Sequence, residues 1–201
     1  MKKVFLAIAA VVLSATTAMA QSEAGSVYIK PMVGGTLTTL TKLDDSKMKL
    51  GFVGGAEFGY QVSNEFAVTA GVLASMQGCK FKDDVYEKDR STTLTYLNIP
   101  ILANYYIVPG LAIKAGIQPG FMLSHKTKWT DTDTGVDMDV TSKDGLKKFD
   151  FSIPLGLSYE ISDFVIDARY NLGLTKISKT DINKSKNSVI MLTVGYKIPL
   201  N

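Results

Sequence analysis

The sequence predicts an all-β chain: a transmembrane eight-stranded antiparallel up-and-down β-barrel that follows a cleaved N-terminal signal peptide. Three observations predict it. Apolar and polar residues alternate with a period of two through eight stretches, the connections between those stretches alternate long and short, and glycines crowd the polar face. A period of two sustained over ten or more residues is a strand signature, because a helix would scatter the same apolar residues around its circumference.

The first twenty residues are set aside before any strand is read. Lys2 and Lys3 precede an apolar run from Val4 to Leu13, and Ala18-Met19-Ala20 follows. A basic start, a short apolar core and an A-x-A site make a signal peptide, with cleavage expected between Ala20 and Gln21. Residues 1–20 are therefore read as signal peptide and 21–201 as one outer-membrane β-barrel domain. The apolar run is too short for a spanning helix, which needs roughly 20 residues. Without Lys2 and Lys3, the 22 basic residues become 20 against 19 acidic ones. That near-neutral balance is no electrostatic footprint for nucleic acid. The single cysteine, Cys79, has no partner for an internal disulfide, so the sheet itself must supply stability.

The first strand runs from Val27 to Leu40, with Val27, Ile29, Val33 and Leu37 opposed to Lys30, Met32, Gly34 and Thr36. The second, Met48 to Val62, sets Leu50, Phe52, Ala56, Phe58 and Tyr60 against Gly51, Gly55, Glu57, Gly59 and Gln61. Ser63-Asn64-Glu65 turns the chain into a third strand, Phe66 to Gly78, and a charged loop is expected from Cys79 to Arg90. Strands four and five form a hairpin, Tyr96 to Leu123, joined at Val108-Pro109-Gly110. The longest insert, Lys126 to Lys148, follows. Phe149 to Glu160 alternates most cleanly, Ile161-Ser162-Asp163 turns, and the seventh strand starts at Phe164. A loop from Lys176 to Asn187 leads to the eighth, where Ile190, Leu192, Val194, Tyr196 and Ile198 alternate with Met191, Thr193, Gly195 and Lys197.

Alternation alone does not separate a greasy inside from a greasy outside. Gly51, Gly55, Gly59, Gly71, Gly116, Gly120, Gly156, Gly173 and Gly195 all fall on the polar face. A solvated face needs no missing side chains, whereas the interior of an eight-stranded barrel is just wide enough for side chains to fill. Aromatic residues flank the tight turns: Tyr60 with Phe66, Tyr105 with Tyr106, and Tyr159 with Phe164. An interfacial girdle of Tyr60, Phe66, Tyr105, Tyr159, Phe164 and Tyr196 is expected. Short turns at one end and long loops at the other match periplasmic turns and extracellular loops. The greasy face is thus read as facing lipid, in the cell outer membrane.

With the strands in place, a resemblance emerges. Tyr96-Leu97-Asn98-Ile99-Pro100-Ile101-Leu102, Tyr105-Tyr106, Ala115-Gly116-Ile117-Gln118-Pro119-Gly120 and the stretch Phe151 to Glu160 resemble the PorT-like outer-membrane β-barrel domain family. The architecture is similar to the small OmpA-like and OmpX-like barrels. The resemblance implies outer-membrane location and, for one branch, a role in protein secretion. It carries over no catalytic residue. The partners expected are outer-membrane lipid, the barrel-insertion machinery and an envelope or secretion-system protein. No cofactor is expected.

The polar face carries Lys30, Glu57, Lys114, Glu160, Asp167, Arg169 and Lys197, all near the tight-turn end, with Asp150 farther out. Four positive and three negative groups sharing a narrow lumen must pair, since a buried charge left alone costs several kcal/mol. They predict a salt-bridged plug rather than a conducting site. The only histidine, His125, adjoins Ser124. Neighbours in a strand point to opposite faces, which argues against a catalytic pair. The acidic run Asp131 to Asp139 places Gly135 fifth and Ser142 twelfth, so it fails the calcium-loop pattern of glycine at six and glutamate at twelve. Alternation of Val136, Met138 and Val140 with Asp137 and Asp139 suggests a hairpin protruding beyond the membrane, with Trp129 on it as a packing residue. Cys79 is expected as a free thiol in an external loop. The reading is a non-enzymatic barrel with a structural, binding or envelope-assembly role. Its alternatives are a narrow channel, an outer-membrane lipid-modifying enzyme and a soluble lipocalin-like ligand-binding barrel.

Overall fold

The computed structural model describes residues 23–41, 46–81, 87–132, 134–141, 146–178 and 185–200. The expected signal peptide and its cleavage point at Ala20 and Gln21 lie outside the described residues. In chain order the strands are β1 (Val27–Leu40), β2 (Ser46–Lys47), β3 (Lys49–Ser63), β4 (Phe66–Phe81), β5 (Glu87–Asn98) and β6 (Ile101–Val108). They continue as β7 (Leu111–Asp131), β8 (Asp137–Thr141), β9 (Phe149–Ile161), β10 (Phe164–Gly173), β11 (Asn187–Tyr196) and β12 (Ile198–Pro199).

These segments form one antiparallel sheet that closes on itself, because β1 pairs with β3 on one side and with β11 and β12 on the other. Eight staves make the wall. In this wall β5 is continued by β6 and β11 by β12, while β2 and β8 prolong the β3 and β9 staves along β4 and β7. The break between β5 and β6 falls at Ile99-Pro100, where proline has no N–H to donate to a ladder. The chain bridges it with Ile99 N donating to Pro119 O and Gly71 N to Pro100 O. Closure matters in a bilayer, where lipid offers no partner to a backbone amide or carbonyl.

The three tight turns follow local chemistry. At Val108-Pro109-Gly110-Leu111, proline presets the first central position and Gly110 takes φ +82°, the left-handed conformation that a type II turn demands. Ser162 holds φ +53° in the turn from β9 to β10, and Asn64-Glu65 closes β3 to β4.

Side-chain orientation follows the alternation. Val33, Leu50, Phe52, Phe58, Val72, Ile113, Leu155, Leu157, Leu192 and Val194 stand exposed on the outer surface, while Lys30, Glu57, Gln77, Asn98, Lys114, Gln118 and Arg169 are buried inside. A soluble ligand-binding barrel requires the reverse.

Two expected loops are shorter than the sequence implies. The charged stretch from Cys79 to Arg90 is mostly strand, since β4 continues to Phe81 and β5 begins at Glu87. Its charges do not oppose a strand that has risen above the lipid into water, and the alternation persists with Cys79 buried and Lys80 exposed. Likewise β7 runs on to Asp131 and pairs with β8 from Lys126↔Thr141 to Thr130↔Asp137. The protruding hairpin is therefore β7 with β8, which pairs along the same edge of β7 beyond the point where β9 does.

Candidate functional site: the filled lumen and the outer rim

The lumen is filled in layers. Nearest the tight turns, Lys197 Nζ lies 2.6 Å from Glu160 Oε2 and 4.5 Å from the centre of the Tyr28 ring. Tyr106 Oη donates to Glu160 Oε1 at 2.7 Å. The Tyr28 ring lies over Gly59, where an added Cβ would come within 2.1 Å of it; only glycine leaves the ring that room.

Above this layer sits a five-membered network. Lys30 Nζ contacts Glu57 Oε2 at 2.8 Å, and Arg169 Nη1 contacts Glu57 Oε1 at 2.5 Å. The same guanidinium forks onto its neighbour on the strand, with Nε to Asp167 Oδ1 at 2.6 Å and Nη2 to Oδ2 at 2.8 Å. Lys114 donates to the same Asp167 Oδ2. A planar guanidinium suits this bridging role because its donors lie in a rigid fork. All seven sequence-assigned charges are thus brought together in two stacked groups.

Farther out come an apolar cluster of Met32, Val53, Leu73 and Met191 and a polar layer. In the latter, Asn98 Nδ2 and Gln77 Nε2 both donate to Ser75 Oγ, at 2.7 and 2.9 Å. Asp150 is held by Asn187 Nδ2 at 2.9 Å and by the Thr175 hydroxyl. The outermost layer is apolar again: Leu40, Cys79, Leu94, Tyr96, Met122 and Ile177 pack together, with Phe81 and Leu146 against them. Ile177 comes from the connection after β10, so a loop residue caps the outer mouth.

This geometry, a closed eight-stave sheet with an apolar exterior and a filled polar interior, agrees with the comparisons. Residues 19–179 match the model of the family described as outer membrane protein beta-barrel domain. The chain belongs to the outer membrane protein beta-barrel domain family. No curated protein sequence matches it. Among solved structures it is similar to Ail, the attachment invasion locus protein of Yersinia pestis, in complex with the heparin analogue sucrose octasulfate. That likeness has 20% identity over 87% of this chain and 99% of that one, with a TM-score of 0.50. Neisserial surface protein A is similar at 13% identity, over 86% of this chain and 97% of that one, with a TM-score of 0.49.

As a member of the outer membrane protein beta-barrel domain family, the chain resides in the outer membrane, with its apolar exterior against lipid. At the tight-turn end, Tyr60, Tyr105, Phe164 and Tyr196 are exposed, and Phe66 and Tyr159 are half-buried. Phe164 and Tyr196 meet edge to face with centroids 5.1 Å apart. Tyr106, expected beside Tyr105 among the aromatics at that turn, points inward instead. Consecutive residues of β6 face opposite ways, and Tyr106 joins Glu160 in the lumen.

Cys79 also departs from expectation. It is fully buried within β4, inside the apolar cap, and not in an external loop. Its burial pushes the thiol away from the reactive thiolate form. Leu94, Leu73 and Val53 are not singled out by the sequence, because apolar residues on a polar face carry no signal of their own.

At the rim, His125 Nε2 lies 3.3 Å from Thr127 Oγ1, two residues along the same strand. Lys126 and Asp139 pair across the β7–β8 hairpin at 2.6 Å, and that hydrogen bond holds the exposed Asp139 carboxyl below the usual carboxylate range. Asp131 caps its own turn, accepting from Thr134 N and Oγ1 at 2.9 Å. Its Oδ1 is thereby committed to this turn. Among the described residues no cluster of histidine, cysteine, aspartate and glutamate has the arrangement of a metal site.

Proposed function

We propose that this protein is a plugged, non-enzymatic outer-membrane barrel that works as a structural or binding protein through its extracellular face. The observation that carries this reading is the stack of buried layers across the lumen, from the Lys197–Glu160 pair to the apolar cap around Tyr96 and Cys79. Passage of a solute would require breaking ion pairs held at 2.5–2.8 Å in a low-dielectric interior. What varies is then left to the loops, which is where barrels of rigid scaffold carry recognition. The β7–β8 hairpin offers Trp129, Met138 and Val140 above the membrane. The PorT-like resemblance supports an envelope-assembly or secretion-related partner as what the barrel serves.

The N-terminal pattern from Lys2 to Ala20 supports export by a signal peptide, and the mass of the mature chain tests it. The non-enzymatic part rests on His125, which is turned to Thr127. Substituting His125 with alanine should leave outer-membrane lipids chemically unchanged. The plug is tested by planar-bilayer recording from the purified barrel. The expected result is no steady conductance; stable open-channel current would replace this reading with a channel.

A further inference from the structure

The ladder between β3 and β4 runs from Ser63↔Phe66 to Val53↔Ser75 and stops there. It resumes only where β2 pairs with β4 at Lys47↔Lys80 and Ser46↔Phe81. In the interval, the β4 carbonyls of Met76 and Gly78 accept hydrogen bonds from Thr36 Oγ1 at 2.8 Å and Thr38 Oγ1 at 2.7 Å. Those hydroxyls come from β1, on the far side of β3. An unsatisfied strand edge is not viable in hydrocarbon. Here the carbonyls are satisfied from the lumen, which leaves the lipid side of the seam open.

At the foot of that seam is a cavity of about 540 Å³ on the outer surface, within the size range of small-molecule sites. Its floor is the facing pair Gly54↔Ala74, the smallest side chains available. Val33 and Phe52 wall it, standing 68% and 69% exposed. Val53 and Ser75 point into the lumen yet also line it, so the notch reaches into the wall. Phe52 lies along β3 from Tyr60 of the periplasmic aromatics. At about 3.3 Å per residue and a tilt of about 40°, that is roughly 20 Å up a belt about 25 Å tall. The notch therefore opens to the outer leaflet.

Directly above it, Lys47 and Lys80 oppose each other across β2 and β4, both exposed. Lys80 also faces Ser91, which in turn faces Lys128 on β7. Like charges directly opposite in a sheet destabilise it, and among the described residues neither Lys47 nor Lys80 has an ion-pair partner. An anion seated between them removes the repulsion. Lys80 is also only about 13 Å along β4 from Met76 at the edge of the notch, by the strand rise.

We propose that the β3–β4 seam binds an acyl chain of an anionic outer-leaflet lipid, whose headgroup is held by Lys47 and Lys80. The occupant is a lipid because the notch faces the bilayer, and an anionic one because the groups above it are cations.

The test is native mass spectrometry of the full-length mature barrel in mixed micelles containing either diphosphorylated lipid A or zwitterionic phosphatidylethanolamine. One lipid A should stay bound and phosphatidylethanolamine should be lost. Gly54→Leu fills the notch; a Cβ there meets nothing nearer than Val33 Cγ1 at 3.7 Å. Lys47→Gln with Lys80→Gln removes the headgroup contacts without touching the wall. Each should cut lipid A retention by about tenfold or more, equivalent to about 1.4 kcal/mol. If Gly54→Leu does not fold, which heat-modifiable gel mobility reveals, the lysine variant alone decides. Unchanged retention in the folded variants, or equal retention of the two lipids by the wild type, overturns the proposal.

Discussion

In the tight-turn half of the barrel, short turns join the staves and a network of ion pairs fills the lumen. In the long-loop half, the β3–β4 ladder opens, β5 and β7 slip register at Thr95/Tyr96, and the lumen is closed by apolar side chains with help from loop residue Ile177. One half is held by geometry that leaves little freedom. The other is held by non-directional burial, which tolerates changes of register and loop length. Directional bonding thus dominates at the tight-turn end and adaptable packing at the long-loop end.

The largest expected effect comes from the rigid half. Arg169→Met leaves Glu57 and Asp167 without their shared cation and should destabilise the barrel by about 3–5 kcal/mol, read as the shift in urea unfolding in lipid vesicles. A wild-type midpoint would mean the network is dispensable and the contrast between halves is wrong. Leu155→Arg, on the lipid face of β9, should impair insertion by about 2–4 kcal/mol if it lies near the midplane; vesicle partitioning measures it. In the adaptable half, Thr38→Val strips the hydroxyl from Gly78 O and should destabilise by about 1–3 kcal/mol, the usual effect of orphaning a buried acceptor. A loss as large as that of Arg169→Met would erase the distinction.

Asp139→Asn should matter least, leaving the unfolding midpoint of the barrel unchanged, because its bond to Lys126 is at an exposed hairpin. The pH dependence has a definite sign. The Asp139 carboxyl is depressed when folded, so its contribution is complete above the ordinary carboxylate range and is lost as pH falls through the lowered folded value. Carboxyl NMR titration of the hairpin checks this; a titration at or above the ordinary value would show the pair is not formed.

Most of the wall was legible in the sequence because strand periodicity is a property of neighbouring residues. Leu155 alternating with Gly156, or Lys30 with Ile29, assigns each to a face without knowledge of the partner strand. The seven lumen charges were legible for the same reason. Their wiring was not, since Arg169 reaches Glu57 only through closure of distant staves. Cys79 was misplaced because the charges of its neighbours outweighed an alternation that in fact continued. Tyr105 and Tyr106 adjoin in β6 yet face opposite ways, so only Tyr105 joins the outer aromatics while Tyr106 reaches Glu160 in the lumen. The β3–β4 seam leaves no trace in side-chain pattern, as it is a fault in backbone hydrogen bonding.

The Lys197 latch has a consequence for the order of events in assembly. Lys197 belongs to the last stave, Glu160 to β9, Tyr106 to β6 and Tyr28 to the first, so four separate regions of chain must arrive before the ammonium is satisfied. A half-zipped sheet offers Lys197 only part of that company, in a medium where a lone cation is costly. A sheet zipped from β6 to β11 already brings Glu160 and Tyr106 to Lys197, and the Tyr28 ring arrives only when the first and last strands meet, so closure completes a site that the later staves have begun.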